Sequence, residues 1–356
     1  MHKNLLILPV LVLCVGTLFA GGSADQAASD TDSPYAGAQL VISTWGFNMD
    51  TIEANVAAPF EARFGVDIVY ETGNNSERFT RLATRRDNPN VDVVQLASNW
   101  AFRASAEGLL QPYDRSRLPV LDQVYDWARD PFGNQHVVGY AISSYALTYR
   151  TDKTTTPLRS WNDLAADDFA GFITLPDITT TFGPATVAMI ALANGGDLTN
   201  VEPAWIALEA LSDNIVTIYR RSSELVSLVQ QEEVWAAPYS SFAWGNLAAT
   251  ELPVVSVVPQ EGLAGSQSMV AIVAGSPNAD LAHEYINWLL SAEVQQAQAL
   301  ALVDSPTNAQ VRVPDDIAPL LTYGDAVIDN LVFFDEAVLA DNREAWIDRW
   351  NAIFSE

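Results

Sequence analysis

The sequence predicts an α/β protein of two lobes, each a mostly parallel sheet flanked by helices, with the chain crossing between them twice. Three observations lead there. Short apolar strands alternate with amphipathic helices, a long extended segment at 137–150 interrupts that alternation, and beyond it the alternation restarts. Strands and helices in this order imply parallel pairing through right-handed crossovers, hence sheets covered on both faces.

In chain order, residues 40–44 read as a strand. Ile52, Val56, Phe60 and Phe64 then recur every four residues, the apolar face of a helix that ends at Gly65. Residues 66–70 are a second strand, 76–87 a second helix, 91–96 a third strand, and 100–107 a third helix stopped by Gly108. After the extended segment come helical 161–167, strand 172–175, helices 185–193 and 203–211, and strand 215–219. Helix 223–231, strands 234–237 and 254–258, apolar strand 269–274, and helices 283–290 and 294–302 complete the series. The crossings fall near residues 143 and 268. Lobe 1 is therefore expected at 38–143 plus 269–310, lobe 2 at 144–268, and a C-terminal helical segment at 311–356.

A chain of 356 residues allows about two domains, and 49% hydrophobic with 17% charged residues describes a folded, globular protein. No internal run reaches the roughly 18 to 20 apolar residues of a membrane helix. At the N-terminus, Lys3, an apolar stretch at 5–20 and the small residues 21–24 read as an export signal over 1–24, followed by a flexible lead-in at 25–37. Cys14, the only cysteine, lies inside that signal. The expected product is an exported, periplasmic, monomeric protein without disulfides; a lipid anchor through Cys14 is the alternative.

The net charge of −26 argues against nucleic acid or an anionic membrane surface as partner. It invites a cationic ligand, but Lys3 and Lys153 are the only lysines. Surplus carboxylates with almost no lysine also fit a general adaptation to salt.

Ligands of open α/β sheets bind beyond the carboxyl ends of strands. The exits here are 44–47 with Trp45; 97–100 with Ser98, Asn99 and Trp100; 176–182 with Asp177, Thr180, Thr181 and Phe182; 238–241 with Tyr239 and Ser240; and 265–268 with Gln267 and Ser268. The third is the richest, an apolar strand emptying into a hydroxyl-rich turn ahead of a helix whose first N–H groups are unsatisfied. The same residue types also make ordinary helix caps, and the four aromatics can equally be core residues. Trp205, Trp288, Trp346 and Trp350 sit at helical spacings that suit packing.

Catalytic signatures are missing. There is no phosphate-binding Gly-x-x-x-x-Gly-Lys loop, no Gly-x-Gly-x-x-Gly and no Gly-x-Ser-x-Gly elbow; His136 and His283 are far apart and outside any metal-ligand spacing. No enzyme and no cofactor is expected.

Taken in order, Ser43-Thr-Trp45, residues 88–98, Glu107-Gly-Leu-Leu-Gln-Pro112, Ser160-Trp-Asn-Asp-Leu164, residues 175–184, Pro259-Gln-Glu-Gly262 and Asp304-Ser-Pro-Thr-Asn308 carry a resemblance. The chain resembles the periplasmic solute-binding proteins of ABC importers, most closely the spermidine/putrescine branch, from about residue 40 to 308. The resemblance implies the two-lobed, hinged periplasmic-binding-protein fold, a small solute in the cleft and an inner-membrane permease as partner. It places Trp45, Ser98 to Trp100 and Asp177 at ligand-contacting positions, Asp177 at or beside the amine-binding carboxylate. The pattern departs at Thr180 or Thr181, where a second acid is expected, at Ser266 and Ser268, where an aromatic and an aspartate are expected, and at Asp304, commonly tyrosine. A polyamine is the first ligand it implies; the hydroxyl replacements would suit a neutral or zwitterionic solute such as an amino acid, sugar or aminophosphonate.

Overall fold

The structure, a computed structural model, describes residues 33–354. The export signal, Cys14 and most of the 25–37 lead-in lie outside the described residues. Twelve strands form one continuous sheet: β1 (Gln39–Thr44), β2 (Asp67–Thr72), β3 (Val93–Ala97), β4 (Leu110–Gln111), β5 (Val138–Arg150), β6 (Ile173–Pro176), β7 (Ile215–Tyr219), β8 (Ala236–Ser240), β9 (Val254–Val257), β10 (Leu263–Val273), β11 (Ser305–Pro306) and β12 (Leu331–Val332). The main order is β2-β1-β3-β10-β5-β8-β6-β7.

Within each lobe the pairing is parallel, β1 with β2 and β3, and β6 with β7 and β8. The antiparallel pairs all involve β5 or β10, the two strands shared between lobes. A strand of 13 residues spans about 40 Å, enough to serve both sheets. Its first half pairs with β10 and β11, and from Tyr145 onward it also pairs with β8. Where partners change, a buried hydroxyl junction joins the crossing strand to the C-terminal segment. Thr322 Oγ1 accepts from Ser144 N at 2.8 Å and contacts Ser241 Oγ at 2.8 Å, while Thr322 N donates to Ser305 Oγ at 2.9 Å.

Both faces of each lobe are covered. In lobe 1, Leu40, Ile42, Phe60, Tyr285 and Trp288 fill one side, and Phe79, Leu96 and Trp100 the other. Leu147, Trp161, Phe169 and Trp205 fill one side of lobe 2, and Tyr219, Leu225 and Tyr239 the other. The helix after β1 shows how sequence spacing shapes the backbone. A repeat of four residues drifts around a helix of 3.6 residues per turn, and a π-helical turn at Glu53–Ala57 widens the spiral and helps keep Val56 and Phe60 buried together.

Two expectations need correcting. Residues 265–268 are not a turn: they lie inside β10, which begins at Leu263, because polar side chains in a strand crossing between lobes break the apolar run that marks strands in the sequence. Likewise β8 starts two residues later than expected, so Tyr239 and Ser240 are strand residues; Trp235, just before it, stacks on Phe172 with ring centroids 3.5 Å apart.

Beyond β11 the chain passes through two short helical turns, Ala318–Leu320 and Asp325–Ile328, to β12, which pairs with the start of β10, and then enters the helix Glu336–Phe354. Its distal part docks on lobe 2. Trp346 and Trp350 are buried in that core, Trp346 against Trp205, and Arg349 pairs with Glu202 and Glu209 of the Glu202–Leu211 helix. Its first turns face the Ser98–Ala106 helix of lobe 1. Among the described residues no helix is long and apolar enough to cross a membrane.

Candidate binding cleft

The turn after β6 is built to satisfy itself. Asp177 Oδ1 accepts from Thr179 N at 2.9 Å and Thr179 Oγ1 at 2.5 Å, and Oδ2 accepts from Arg220 Nε at 3.1 Å. Thr180 Oγ1 donates to Asp177 O at 2.7 Å and accepts from Gly183 N at 3.2 Å. The loop then closes so tightly that a Cβ at Gly183 would fall 2.4 Å from Asp177 O and Ile178 Cα. Burial pushes the Asp177 carboxyl up, but the Thr179 bonds and the Arg220 guanidinium outweigh it and hold the group below its usual range. Asp177 pins the turn and does not line the cleft.

The cleft itself is open to solvent and is lined from both lobes. Lobe 1 supplies Ser98, Asn99, Trp100 and Arg103, all from the first two turns of one helix; lobe 2 supplies Ile178, Thr180, Thr181 and Phe182; Ala264 to Ser266 of β10 lie between them. Phe182 is stacked on Tyr145 at 4.6 Å, and Trp100 rests on Phe79 at 5.5 Å. A further wall comes from the C-terminal segment, through Phe334, Glu336, Leu339, Ala340 and Arg343.

Two hydrogen bonds span the cleft. Asn75 Nδ2 of lobe 1 donates to Thr181 Oγ1 of lobe 2 at 3.3 Å, with Asn75 Oδ1 held by Ala97 N and Arg78. Ser98 Oγ donates to Glu336 Oε1. Glu336 Oε2 is buried without a hydrogen-bond partner, and burial pushes this carboxyl up to about 7 in spite of the Ser98 bond. Arg343 and Arg103 lie over Trp100 at 5.6 and 5.0 Å from the ring centre. Burial and the neighbouring Arg103 charge lower the Arg343 pKa, and among the described residues Arg343 forms no ion pair.

The chain's sequence matches the bacterial extracellular solute-binding proteins over residues 55–321. The chain belongs to that family. It is 22% identical over 299 residues to the spermidine/putrescine-binding periplasmic protein 1 of Haemophilus influenzae, covering 81% of this chain and 78% of that protein. A putative 2-aminoethylphosphonate-binding periplasmic protein of Salmonella typhi is 25% identical over 267 residues, covering 72% and 74%. Among solved structures, an ABC transporter protein of Clostridium perfringens superposes with a TM-score of 0.77 at 35% identity, over 89% of this chain and all of that one. The fold is the two-lobed periplasmic-binding-protein fold, and the protein is the solute-binding component of an ABC importer. Members of this family bind small ligands and work with a membrane permease.

Among the residues expected at the cleft, Ser98, Asn99, Trp100, Thr180, Thr181 and Phe182 line it. The other expected residues sit elsewhere. Trp45 lies under the Arg78 guanidinium at 4.5 Å, and Arg78 in turn donates to the carbonyls of Ser43, Gly73 and Gln95, tying the ends of β1 and β3 together. Tyr239 is buried in lobe 2 with its hydroxyl on Ala243 O, and the Ser240 hydroxyl is buried without a partner. Gln267 Nε2 reaches Trp127 O at 3.5 Å, and Ser268 bonds the Tyr140 hydroxyl. Asp304 is bonded to Gln298 near Tyr140 and Tyr285, and burial pushes its carboxyl up to about 6 despite that bond.

Sequence reasoning missed Asn75, Arg103, Glu336 and Arg343. Strand exits alone do not reach Arg103, which lies five residues along the helix that Ser98 opens. The spacing of 336, 340 and 343 is that of one helix face, a signal present in the sequence. His283 has a structural place, Nε2 accepting from Asp114 N at 2.9 Å.

Proposed function

We infer that this protein captures, outside the cytoplasm, a small zwitterionic or acid-bearing solute, and that the lobes close on it for delivery to an inner-membrane permease. The observation that carries the reading is the distribution of charge in the cleft. The Asp177 carboxylate is spent on Arg220 and Thr179, while Arg103 and Arg343 line the wall. A buried ammonium needs a carboxylate or several strong acceptors, or its desolvation costs several kcal/mol. A diamine would need two such sites, and Glu336 is the one acidic side chain lining this cleft. The relative named for 2-aminoethylphosphonate therefore fits the site chemistry better than the relative named for spermidine and putrescine.

Closure follows from the two shared strands. The partner changes in β5 and β10 support lobe boundaries at 143/144 and 268/269, with bending at these strands bringing Ser98 to Trp100 toward Thr181 and Phe182. Ligand touching both walls shifts the equilibrium to the closed form by its added contacts there. The protein acts as a monomer without catalysis of its own. Thermal shift against polyamines, amino acids, sugars and aminophosphonates tests the reading, because ligand at 100 times its Kd stabilises by about 2.7 kcal/mol. A rise in Tm with spermidine or putrescine alone overturns it.

A further inference from the structure

The C-terminal helix begins one residue past Asp335, whose Oδ1 accepts from Ala337 N at 2.8 Å and so fixes the first turn. Its far end is held by lobe 2 through Trp346, Trp350 and Arg349, so it travels with that lobe, yet Glu336 and Arg343 face lobe 1. The family match ends at residue 321, so the whole helix lies beyond it. Both side chains are chemically incomplete. Glu336 has one carboxyl oxygen on Ser98 and the other buried without a donor; Arg343, beside Arg103, which pairs with Glu107, forms no ion pair among the described residues. They do not pair with each other.

We propose that Glu336 and Arg343 complete the ligand site, Glu336 Oε2 accepting the ammonium of a zwitterion whose acid group sits between Arg343 and Arg103. This rests on the zwitterion reading given above and assigns its two ends. Seven residues of helix separate the two positions, about 10 Å along the axis. A pair of sites two turns apart on one helix favours a short ω-amino acid or aminophosphonate, whose charged ends lie further apart than those of an α-amino acid. The charged groups around Glu336 are Asp335 beside it, Arg343 on its own helix and Arg103 across the cleft; an ammonium against Glu336 would displace its proton.

Calorimetry on the exported chain with 4-aminobutyrate, 2-aminoethylphosphonate, butyrate and putrescine tests this. The two zwitterions should bind more tightly than butyrate or putrescine. Glu336→Gln should weaken the zwitterions about 10-fold or more and leave butyrate within about 2-fold, whereas Arg343→Met should weaken zwitterions and butyrate together. Zwitterion affinity within about 3-fold of wild type in Glu336→Gln overturns the role of Glu336 while leaving the receptor reading intact. Binding of putrescine but of no acid-bearing probe, or of none of the four, overturns the zwitterion reading itself. Should Glu336→Gln fail to fold, wild-type binding of 4-aminobutyrate at pH 6 in buffers of different ionisation enthalpy reads the same contact. Proton release supports it and no proton exchange overturns it.

Discussion

The turn at 176–183 and the first turns of the Glu336–Phe354 helix form facing parts of one cleft, and they hold their polar groups in opposite ways. In the turn, Asp177, Thr179 and Thr180 bond one another, the backbone and Arg220. At the helix, Glu336 keeps a buried oxygen unpaired and Arg343 forms no ion pair among the described residues. A dense cluster of donors and acceptors therefore measures how well a loop holds its own shape. Unspent groups at a cavity wall are the better sign of a ligand, since each costs free energy until something completes it.

Four measurements test this contrast. Trp346→Ala removes the helix anchor from the lobe-2 core and should cost about 3–5 kcal/mol in urea unfolding. A loss under about 1 kcal/mol would mean that the helix does not bind lobe 2 as described. Next in size is a pH effect from Glu336. Its carboxyl is raised from 4.5 to about 7 in the fold, so the neutral form is favoured there; stability is fully present below the unfolded value and is lost as pH rises toward 7. The loss amounts to about 3 kcal/mol at most, and Glu336→Gln should flatten the stability profile over that interval. An unchanged slope would mean that the carboxyl is not buried.

Asp177→Ala opens the turn and should lower stability by about 1–2 kcal/mol while changing affinity for a zwitterion by no more than about 3-fold. A 100-fold loss of affinity with normal stability would put Asp177 in the site and reverse the contrast between the two walls. The smallest effect is expected from Arg220→Ala, whose side chain is 77% exposed: under about 1 kcal/mol, shrinking further in high salt.

Legibility in the sequence followed the range of the interactions. The helix after β1 was readable because its apolar repeat and Gly65, at φ 68°, are local features. Residues 98–100 and 180–182 lie on facing walls of one cavity because strand exits in an α/β sheet share one side. Residues 265–268 misread because a strand shared by two lobes loses its apolar pattern where it crosses between them. Trp45 misread because what occupies its ring is Arg78, 33 positions later, a pairing that no local pattern announces.

The alternation of strands and helices, the two-lobed architecture and the absence of catalytic signatures are legible from residue order alone, since each depends on periodicity and short motifs. Tertiary structure alone decided which polar groups remain unspent. Whether Asp177 meets Arg220 or a solute, and whether Glu336 reaches Ser98 across 238 positions, depends on how lobes and terminal helix are set in space. Hydrogen bonds form between neighbours in space, and neighbourhood across a cleft is fixed only when the whole chain has folded.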